Sequence, residues 1–374
     1  MAANKKQHYI PQFYMRKFSQ DNSHLFVYNL KRQQAYSGTI KNLCQSKYFY
    51  GNDLKLETFL NQIETKQSPI LKQIIGKQDL DFLTRDTFYY LRLFILLQYS
   101  RTKDERNVAN KMFEEFCSKY LKPLMKSDEE LKRKGYTSSQ IDNLKIVCSD
   151  FYKVSMEAAF EKVDSIIDLE YVLLINKTSK NFIFSDAPVV FYNYKRIKNR
   201  STTGCKSRGL QIFLPLSKNI MLILIDNNMY NIKKDAHTTI FVTKEEDIDS
   251  LNTLQFYNCL ENVFFSEELD KKYVETLYSQ NKNEIEKREA IIETVSSKEL
   301  PNNRRSDIDV LYRADISYKL KLSFIKLNKQ SSMSYKRSIK RHLKKHPNFV
   351  LVRNENINET IRKIIDRNEG IGLF

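Results

Sequence analysis

Six consecutive apolar residues, Ile220-Met-Leu-Ile-Leu-Ile225, form the stretch that decides the fold of this 374-residue chain. The run is far shorter than the roughly 20 residues that span a bilayer. A strand that is apolar on both faces needs cover on both faces, so we expect it at the centre of a sheet. Four other runs have the composition of strands, at 171–175, 182–184, 189–192 and 210–213. We therefore predict a mixed sheet of about five strands.

Helical periodicity surrounds these runs on both sides in the chain. Thr84-Arg-Asp86 is a typical N-terminal cap for a long apolar helix over 87–100. Helical patterns also cover much of 105–166 and of 245–294. The fold class that we predict is α+β, with a helical layer packed on the mixed sheet and a small basic α/β appendage at the C-terminus.

The appendage follows a polar stretch with a proline, which is typical of a boundary. We predict a core domain over 1–295, a linker over 296–306 and a basic C-terminal segment over 307–374. From Ile316 to Phe324, apolar residues alternate with Lys and Ser. This alternation predicts a strand with one apolar face and one basic face.

Positive charge is concentrated in the C-terminal segment. The chain has 62 basic and 45 acidic side chains, and residues 301–374 hold 17 of the basic and 7 of the acidic ones. This concentration favours binding to nucleic acid, although a merely solvated basic face is the alternative. The candidate phosphate contacts are Lys319, Lys321, Lys336, Arg337, Lys340, Arg341, Lys344 and Lys345.

Cysteine usage and the chain's start indicate a reduced compartment. The five cysteines are odd in number and far apart. This pattern argues against a disulfide framework and excludes a Cys-based zinc motif. No apolar stretch follows the basic residues at the start, so we expect no secretory signal. We expect a cytoplasmic protein with no membrane partner, because the basic segment has too few apolar residues for an amphipathic membrane helix.

The segment His8-Tyr-Ile-Pro-Gln-Phe-Tyr-Met-Arg-Lys-Phe18 resembles the opening signature of the prokaryotic family called domain of unknown function 4238. Similar blocks follow in the same order, at 42–50, 98–102, 184–188, 214–217 and Asn258. The resemblance covers about residues 5–292 and implies candidate positions rather than a reaction. Members of the family often occur in bacterial mobile and defence-associated regions, which implies a nucleic-acid target.

Four residues at these positions are the catalytic candidates: His8, Arg101, Asp186 and Asn258. The imidazole of His8 has the pKa range of a general base or an anion ligand. Arg101 lies three residues after Gln98, so both side chains can point at one oxygen-rich ligand. Asp186 is the candidate ligand for a divalent cation such as Mg²⁺. The ligand-binding candidates are Gln98, Ser185 and Asn42.

Each candidate also has a purely structural interpretation. His8 can be satisfied by a backbone carbonyl, and Arg101 can pair with a carboxylate such as Asp186. Asp186 itself has the residue type and the position of a turn-former that accepts backbone hydrogen bonds. A set of base, phosphate clamp and orienting groups suits phosphodiester chemistry only if the four candidates meet in space.

These observations leave three hypotheses for function. The first is an intracellular effector that targets nucleic acid, as a nuclease in bacterial anti-phage defence, with RNA slightly favoured over DNA. The second is a non-catalytic nucleic-acid-binding or sensing module that works with a partner protein of a defence system. The third is an enzyme that processes a nucleotide or another small molecule, and it predicts that removal of residues 301–374 leaves activity unchanged.

Overall fold

The computed structural model describes residues 5–146, 148, 151–195, 201–285, 290–300, 304–334, 337 and 353. In these ranges the helices are α1 Gln12–Met15, α2 Lys55–Lys77, α3 Arg85–Ser100, α4 Lys103–Phe116, α5 Lys122–Ser127, α6 Glu129–Arg133, α7 Ser138–Asn143, α8 Phe151–Glu161, α9 Glu245–Asn258 and α10 Lys271–Asn281. None of them is both long enough and apolar enough to cross a bilayer.

The strands of the same ranges form several sheets. They are β1 Lys6–His8, β2 His24–Asn29, β3 Gln34–Thr39, β4 Gln45–Lys47, β5 Glu170–Asn176, β6 Phe184–Ser185, β7 Val190–Asn193, β8 Leu210–Ser217, β9 Ile220–Ile225, β10 Tyr230–Ile232, β11 Thr239–Val242, β12 Asn262–Phe265, β13 Ala290–Leu300, β14 Arg304–Arg313 and β15 Ile325–Leu327.

A mixed sheet of five strands, in the order β11-β5-β9-β8-β7, confirms the predicted α+β class. β11 runs parallel to β5, and the other neighbours are antiparallel. Four of the five predicted strands lie in this sheet. The run 182–184 is the exception, since its end forms β6 in a smaller sheet. The fifth place is taken by β11, which no pattern in the sequence indicated.

Both faces of this sheet are covered, as the apolar run in β9 requires. Side chains alternate along a strand, so neighbouring residues enter different cores. Leu222 packs in the core formed with α3, whereas Ile223 packs in the core formed with α9. The helical layer therefore lies on one face, and α9 with the C-terminal segment lies on the other.

A second sheet has four antiparallel strands in the order β3-β2-β12-β6. It ties the N-terminal strands to a strand that follows α9. The short pair β1 and β4 lies apart from it as a two-stranded sheet. These pairings fix the N-terminal segment against parts of the chain that lie far from it in sequence.

The C-terminal segment is built differently from our prediction. β13 and β14 form a long antiparallel hairpin, so the described residues of the expected linker lie in strands. The strand predicted over 316–324 is wrong, because residues 314–322 have no strand pairing. Ile316, Leu320 and Phe324 are nevertheless buried in the core beside α9. Alternation here marks side-chain burial without a hydrogen-bonded ladder.

Candidate functional site

The N-terminal segment around His8 is fixed from both sides. In the pairing of β1 with β4, His8 lies opposite Gln45, and the next amide, that of Tyr9, donates to the carbonyl of Cys44 at 2.9 Å. After Pro11 the chain turns into α1, whose Tyr14 is completely buried and donates to the carbonyl of Pro215 at 2.6 Å. The backbone at His8 is therefore held in one position by contacts that precede and follow it.

A cleft of about 660 Å³ opens beside His8, lined by β1, α1 and the residues after β3, and we call it the basic cleft. Its lining includes three cations, Lys6, Arg16 and Lys41, and no carboxylate. None of the three forms an ion pair with a residue that the structure describes. Uncompensated positive charge in a concave site attracts anions.

Two amide side chains orient these cations. Lys6 donates to Oδ1 of Asn42 at 2.9 Å, and Arg16 donates to Oε1 of Gln12 at 2.8 Å. An amide neutralises no charge, so Lys6 and Arg16 keep their full attraction for an anion. The structure thus brings two of our candidates, His8 and Asn42, into one site. It adds Lys6, Gln12, Arg16 and Lys41. Lys6 and Gln12 lie two and four residues from His8 in the sequence, whereas no spacing from His8 indicated Arg16 or Lys41.

The hydrogen-bond chain through Gln12 defines the state of His8. Arg16 occupies Oε1 of Gln12, so Nε2 of Gln12 faces Nδ1 of His8, at 3.5 Å. Because an amide nitrogen only donates, Nδ1 is the acceptor and the neutral ring carries its proton on Nε2. Nε2 itself is buried and makes no hydrogen bond with the described residues, although the carbonyls of Ile40 and Lys41 lie beside the ring.

Burial lowers the pKa of His8, and the two carbonyls only partly oppose this effect. The imidazole is therefore neutral near pH 7, which is the state that a general base requires. Since Nε2 has no exposed surface, a ligand in the basic cleft would meet Nδ1.

Gln98 and Arg101 do meet, as their spacing on α3 predicts, but they face the interior. Arg101 donates through Nε to Gln98 at 3.2 Å and through Nη1 to Glu64 at 2.7 Å. Gln98 in turn donates to the carbonyl of Tyr9 at 3.2 Å. Arg101 is only 3% exposed, and its partner carboxylate is Glu64 rather than Asp186.

Ser185, Asp186 and Asn258 lie in a separate, buried cluster of hydrogen bonds. The carboxylate of Asp186 accepts three backbone amides, from residues 260, 261 and 262, at 2.8 to 2.9 Å. Ser185 bonds to Gln255, and Asn258 donates to the carbonyls of residues 187 and 189. Burial raises the pKa of Asp186 to about 6, against the effect of the three amides. The three backbone amides give Asp186 the turn-forming role that was its structural interpretation.

The residues that the structure describes contain no group of three or more His, Cys, Asp or Glu side chains that could hold a metal ion. Both oxygens of Asp186 are engaged by amides, and the described residues around it do not form a set of three such ligands, so the proposed Mg²⁺ site is not completed there.

Tyr9 lies between the candidates that line the basic cleft and the candidates that are buried. Its carbonyl accepts Gln98, and its hydroxyl lies beside Cys44 in the field of Asp186. Arg101, Asp186 and Asn258 are all at most 4% exposed. Of the catalytic and ligand-binding candidates, all of which are described, only His8 and Asn42 line the open cleft. The motif blocks converge, but most of them hold the N-terminal segment in place.

The basic candidates of the C-terminal segment divide into two sets. Lys319, Lys321 and Arg337 are exposed. The others lie outside the described residues: Lys336, Lys340, Arg341, Lys344 and Lys345.

Comparison with known proteins bears on all the motif blocks, from His8 to Asn258. A family model described as "Protein of unknown function (DUF4238)" matches residues 6–268. The match confirms the resemblance, over a somewhat shorter range than the expected 5–292. No curated protein and no solved structure matches the chain.

Proposed function

The chain belongs to the DUF4238 family, and from the chain's own residues we propose that it binds nucleic acid through the phosphate groups, at the basic cleft. The observation that carries this proposal is the set of three cations around one cleft without a carboxylate partner. Phosphate contacts by Lys and Arg supply most of the affinity for a nucleic acid. The exposed cations Lys319, Lys321 and Arg337 add positive charge elsewhere on the described surface.

A nuclease activity is the more specific form of the proposal, and it gives His8 a role. The neutral ring would take the proton of an RNA 2′-hydroxyl at Nδ1 as the 2′-oxygen bonds to phosphorus. The bond from phosphorus to the 5′-oxygen would then break, and this leaving oxygen would take a proton from water. The cations of the basic cleft would stabilise the charge that develops on the phosphoryl oxygens. This chemistry favours RNA over DNA.

A non-catalytic binding module is the second candidate, and one observation favours it. The side chains of Arg101, Asp186 and Asn258 form hydrogen bonds inside the protein. His8 is then the one catalytic candidate of the four that lines the open cleft among the described residues.

The test measures binding of labelled single-stranded RNA at several salt concentrations. The cleft variant is Lys6→Gln/Arg16→Gln/Lys41→Gln, and its control is Lys244→Gln/Lys271→Gln/Lys272→Gln, which removes the same charge from exposed lysines elsewhere. Three lost phosphate contacts make the negative slope of log K against log salt shallower by about 2. We expect that change in the cleft variant alone. Equal slopes in the two variants would exclude the cleft as the binding site.

Cleavage is followed in the same samples on denaturing gels, with His8→Gln as the variant. Cleavage by the wild type, lost in His8→Gln while binding stays, supports the nuclease. Intact bound RNA supports the binding module. The absence of both binding and cleavage contradicts the proposal.

The role in anti-phage defence with a partner protein of a defence system rests on the resemblance to the family, and the location in the cytoplasm rests on the cysteine usage. Plating of phage on bacteria that carry the wild type or the cleft variant tests it. We expect protection by the wild type and a loss of protection in the cleft variant.

A further inference from the structure

A second pocket lies where the C-terminal segment joins the body. It has a volume of about 230 Å³ and is lined by Tyr192, Tyr194, Gln211, Tyr230 and Lys321, together with four aliphatic side chains from residues 320–327. We call it the tyrosine pocket. β15 pairs with β10 at its edge, so that Leu327 lies opposite Tyr230. No residue lines both this pocket and the basic cleft.

Hydrogen bonds hold two of the tyrosine rings in place. Tyr192 donates to the carbonyl of Tyr318 at 3.1 Å and accepts the amide of Leu320 at 3.0 Å. Tyr230 donates to the carbonyl of Gly209 at 2.8 Å. Both rings are 3% exposed. The pocket therefore has preformed aromatic walls, which reduces the entropy that a ligand must lose on binding.

Tyr194 is the exception among these aromatic residues, since its side chain is 49% exposed. Its backbone is fixed, because its amide donates to the hydroxyl of Tyr230 at 3.4 Å. Lys195 lies over one face of this ring, with its Nζ 5.7 Å from the centroid, so another ring would stack on the opposite face.

The polar groups of the pocket suit a base with a phosphate. Gln211 is 3% exposed, and its amide lies beside the Tyr230 hydroxyl, so it brings one donor and one acceptor to the pocket. Lys321 is exposed at the rim and makes no side-chain hydrogen bond or ion pair with the residues that the structure describes. None of the lining residues is acidic.

We propose that the tyrosine pocket binds a nucleobase, which stacks on Tyr194 while Gln211 bonds to its edge and Lys321 contacts its phosphate. Stacking on an aromatic side chain is how proteins hold single-stranded bases without reading a duplex. The base belongs either to a free mononucleotide or to a single strand. The inference deepens the proposed nucleic-acid binding by adding base recognition, but it does not depend on the basic cleft.

The experiment titrates the protein into 2-aminopurine ribonucleoside 5′-monophosphate and, separately, into a short single-stranded RNA with one 2-aminopurine. The fluorescence of this base is quenched when it stacks, and the chain has no Trp whose emission would interfere. Saturable quenching of the mononucleotide identifies the free nucleotide as a ligand. Quenching of the RNA alone identifies the single strand.

Point variants connect the quenching to the pocket. Stacking contributes about 1–3 kcal/mol per base, so Tyr194→Ala should weaken binding about 5- to 150-fold, whereas Tyr194→Phe keeps the ring and the affinity. Lys321→Ala should weaken binding by up to about fivefold. The matched control is Lys326→Ala, because Lys326 lies between two pocket residues of β15 and points away from the pocket.

Two outcomes overturn the proposal. One is the absence of saturable quenching with either probe. The other is quenching of equal strength in the wild type and in Tyr194→Ala. The cleft variant Lys6→Gln/Arg16→Gln/Lys41→Gln separates the two proposals, because it should leave mononucleotide quenching unchanged even where it abolishes the salt-dependent binding of RNA.

Discussion

Two glutamates on α2 show that the position of a single residue decides the effect of its charge. Glu64 accepts a hydrogen bond from the buried Arg101 at 2.7 Å. Glu57, seven residues earlier, makes no hydrogen bond or ion pair with the residues that the structure describes. Burial, followed by repulsion from Glu64, raises the pKa of Glu57 to about 7. The same residue type is therefore stabilising at one position and destabilising at the other.

We expect Glu57→Gln to stabilise the protein at pH 8 and to change little at pH 4. The folded pKa lies above the ordinary value of 4.5, so wild-type stability falls as the pH rises from there to about 7. Glutamine carries no charge and escapes this loss. Partial exposure limits the gain to about 1–2 kcal/mol, measurable by urea unfolding at both pH values.

Glu64→Gln is the matched comparison on the same helix. It leaves the charge of Arg101 buried without its carboxylate partner, so we expect a loss of about 3 kcal/mol at pH 8. Changes of the same sign in the two variants would contradict this account.

The segment 314–322 shows that apolar side chains can be buried in sequence alternation without a strand. Its apolar side chains enter the core beside α9, while its backbone lacks a ladder. The first turn of α9 supplies part of the missing hydrogen bonding. Asp247 accepts the amide of Ser323 at 2.7 Å and its hydroxyl at 2.6 Å. At the end of this segment, a side-chain carboxylate thus accepts the backbone hydrogen bond that a neighbouring strand would otherwise accept.

We expect Asp247→Ala to speed hydrogen exchange at the Ser323 amide by about 10- to 100-fold, because that amide loses its only acceptor in the described residues. Glu246→Ala is the control, since Glu246 is exposed in the same helical turn. Residue-resolved exchange on the two variants decides the matter. Equal exchange rates at Ser323 would show that Asp247 does not hold the segment.

At the scale of the whole molecule, one arginine joins the C-terminal segment to the body. Arg353 binds both oxygens of Asp168, at 2.8 and 2.7 Å, and also donates to the carbonyls of Ser165 and Ser207. Its side chain is 1% exposed. Removing residues 301–374 would therefore take away the ion-pair partner of Asp168. It would also expose the core beside α9 that Ile316 helps to cover. Truncation is thus a poor test of whether the basic segment matters for activity.

We expect Arg353→Ala to lower the free energy of unfolding by about 3 kcal/mol, because a buried pair loses one partner. Arg353→Lys should also destabilise, since an ammonium group cannot replace the two-pronged contact with Asp168. Arg337→Ala, at an exposed position, should change stability by less than about 0.5 kcal/mol. Urea unfolding measures all three. An unchanged midpoint for Arg353→Ala would contradict the anchoring role.

The sequence by itself determined the α+β class, four of the five strands of the main sheet, and the start of α3. These features depend on neighbours within a few residues. The apolar run of β9 demands burial on both faces, and the capping box of Thr84 with Thr87 closes within one helical turn. β11 escaped prediction because it has four residues, one of them exposed, and carries no longer pattern.

Only the tertiary structure decided which side chains meet. Arg101 pairs with Glu64 from another helix, and both carboxylate oxygens of Asp186 accept backbone amides of the turn after α9. The basic cleft brings Lys6 of β1 together with Lys41, which precedes the partner strand β4 in the chain. A contact between residues that are distant in the chain depends on the path of everything between them. Local patterns therefore identified His8 and Asn42 but not the cations around them, and only the fold separated the candidates that line the cleft from those that are buried.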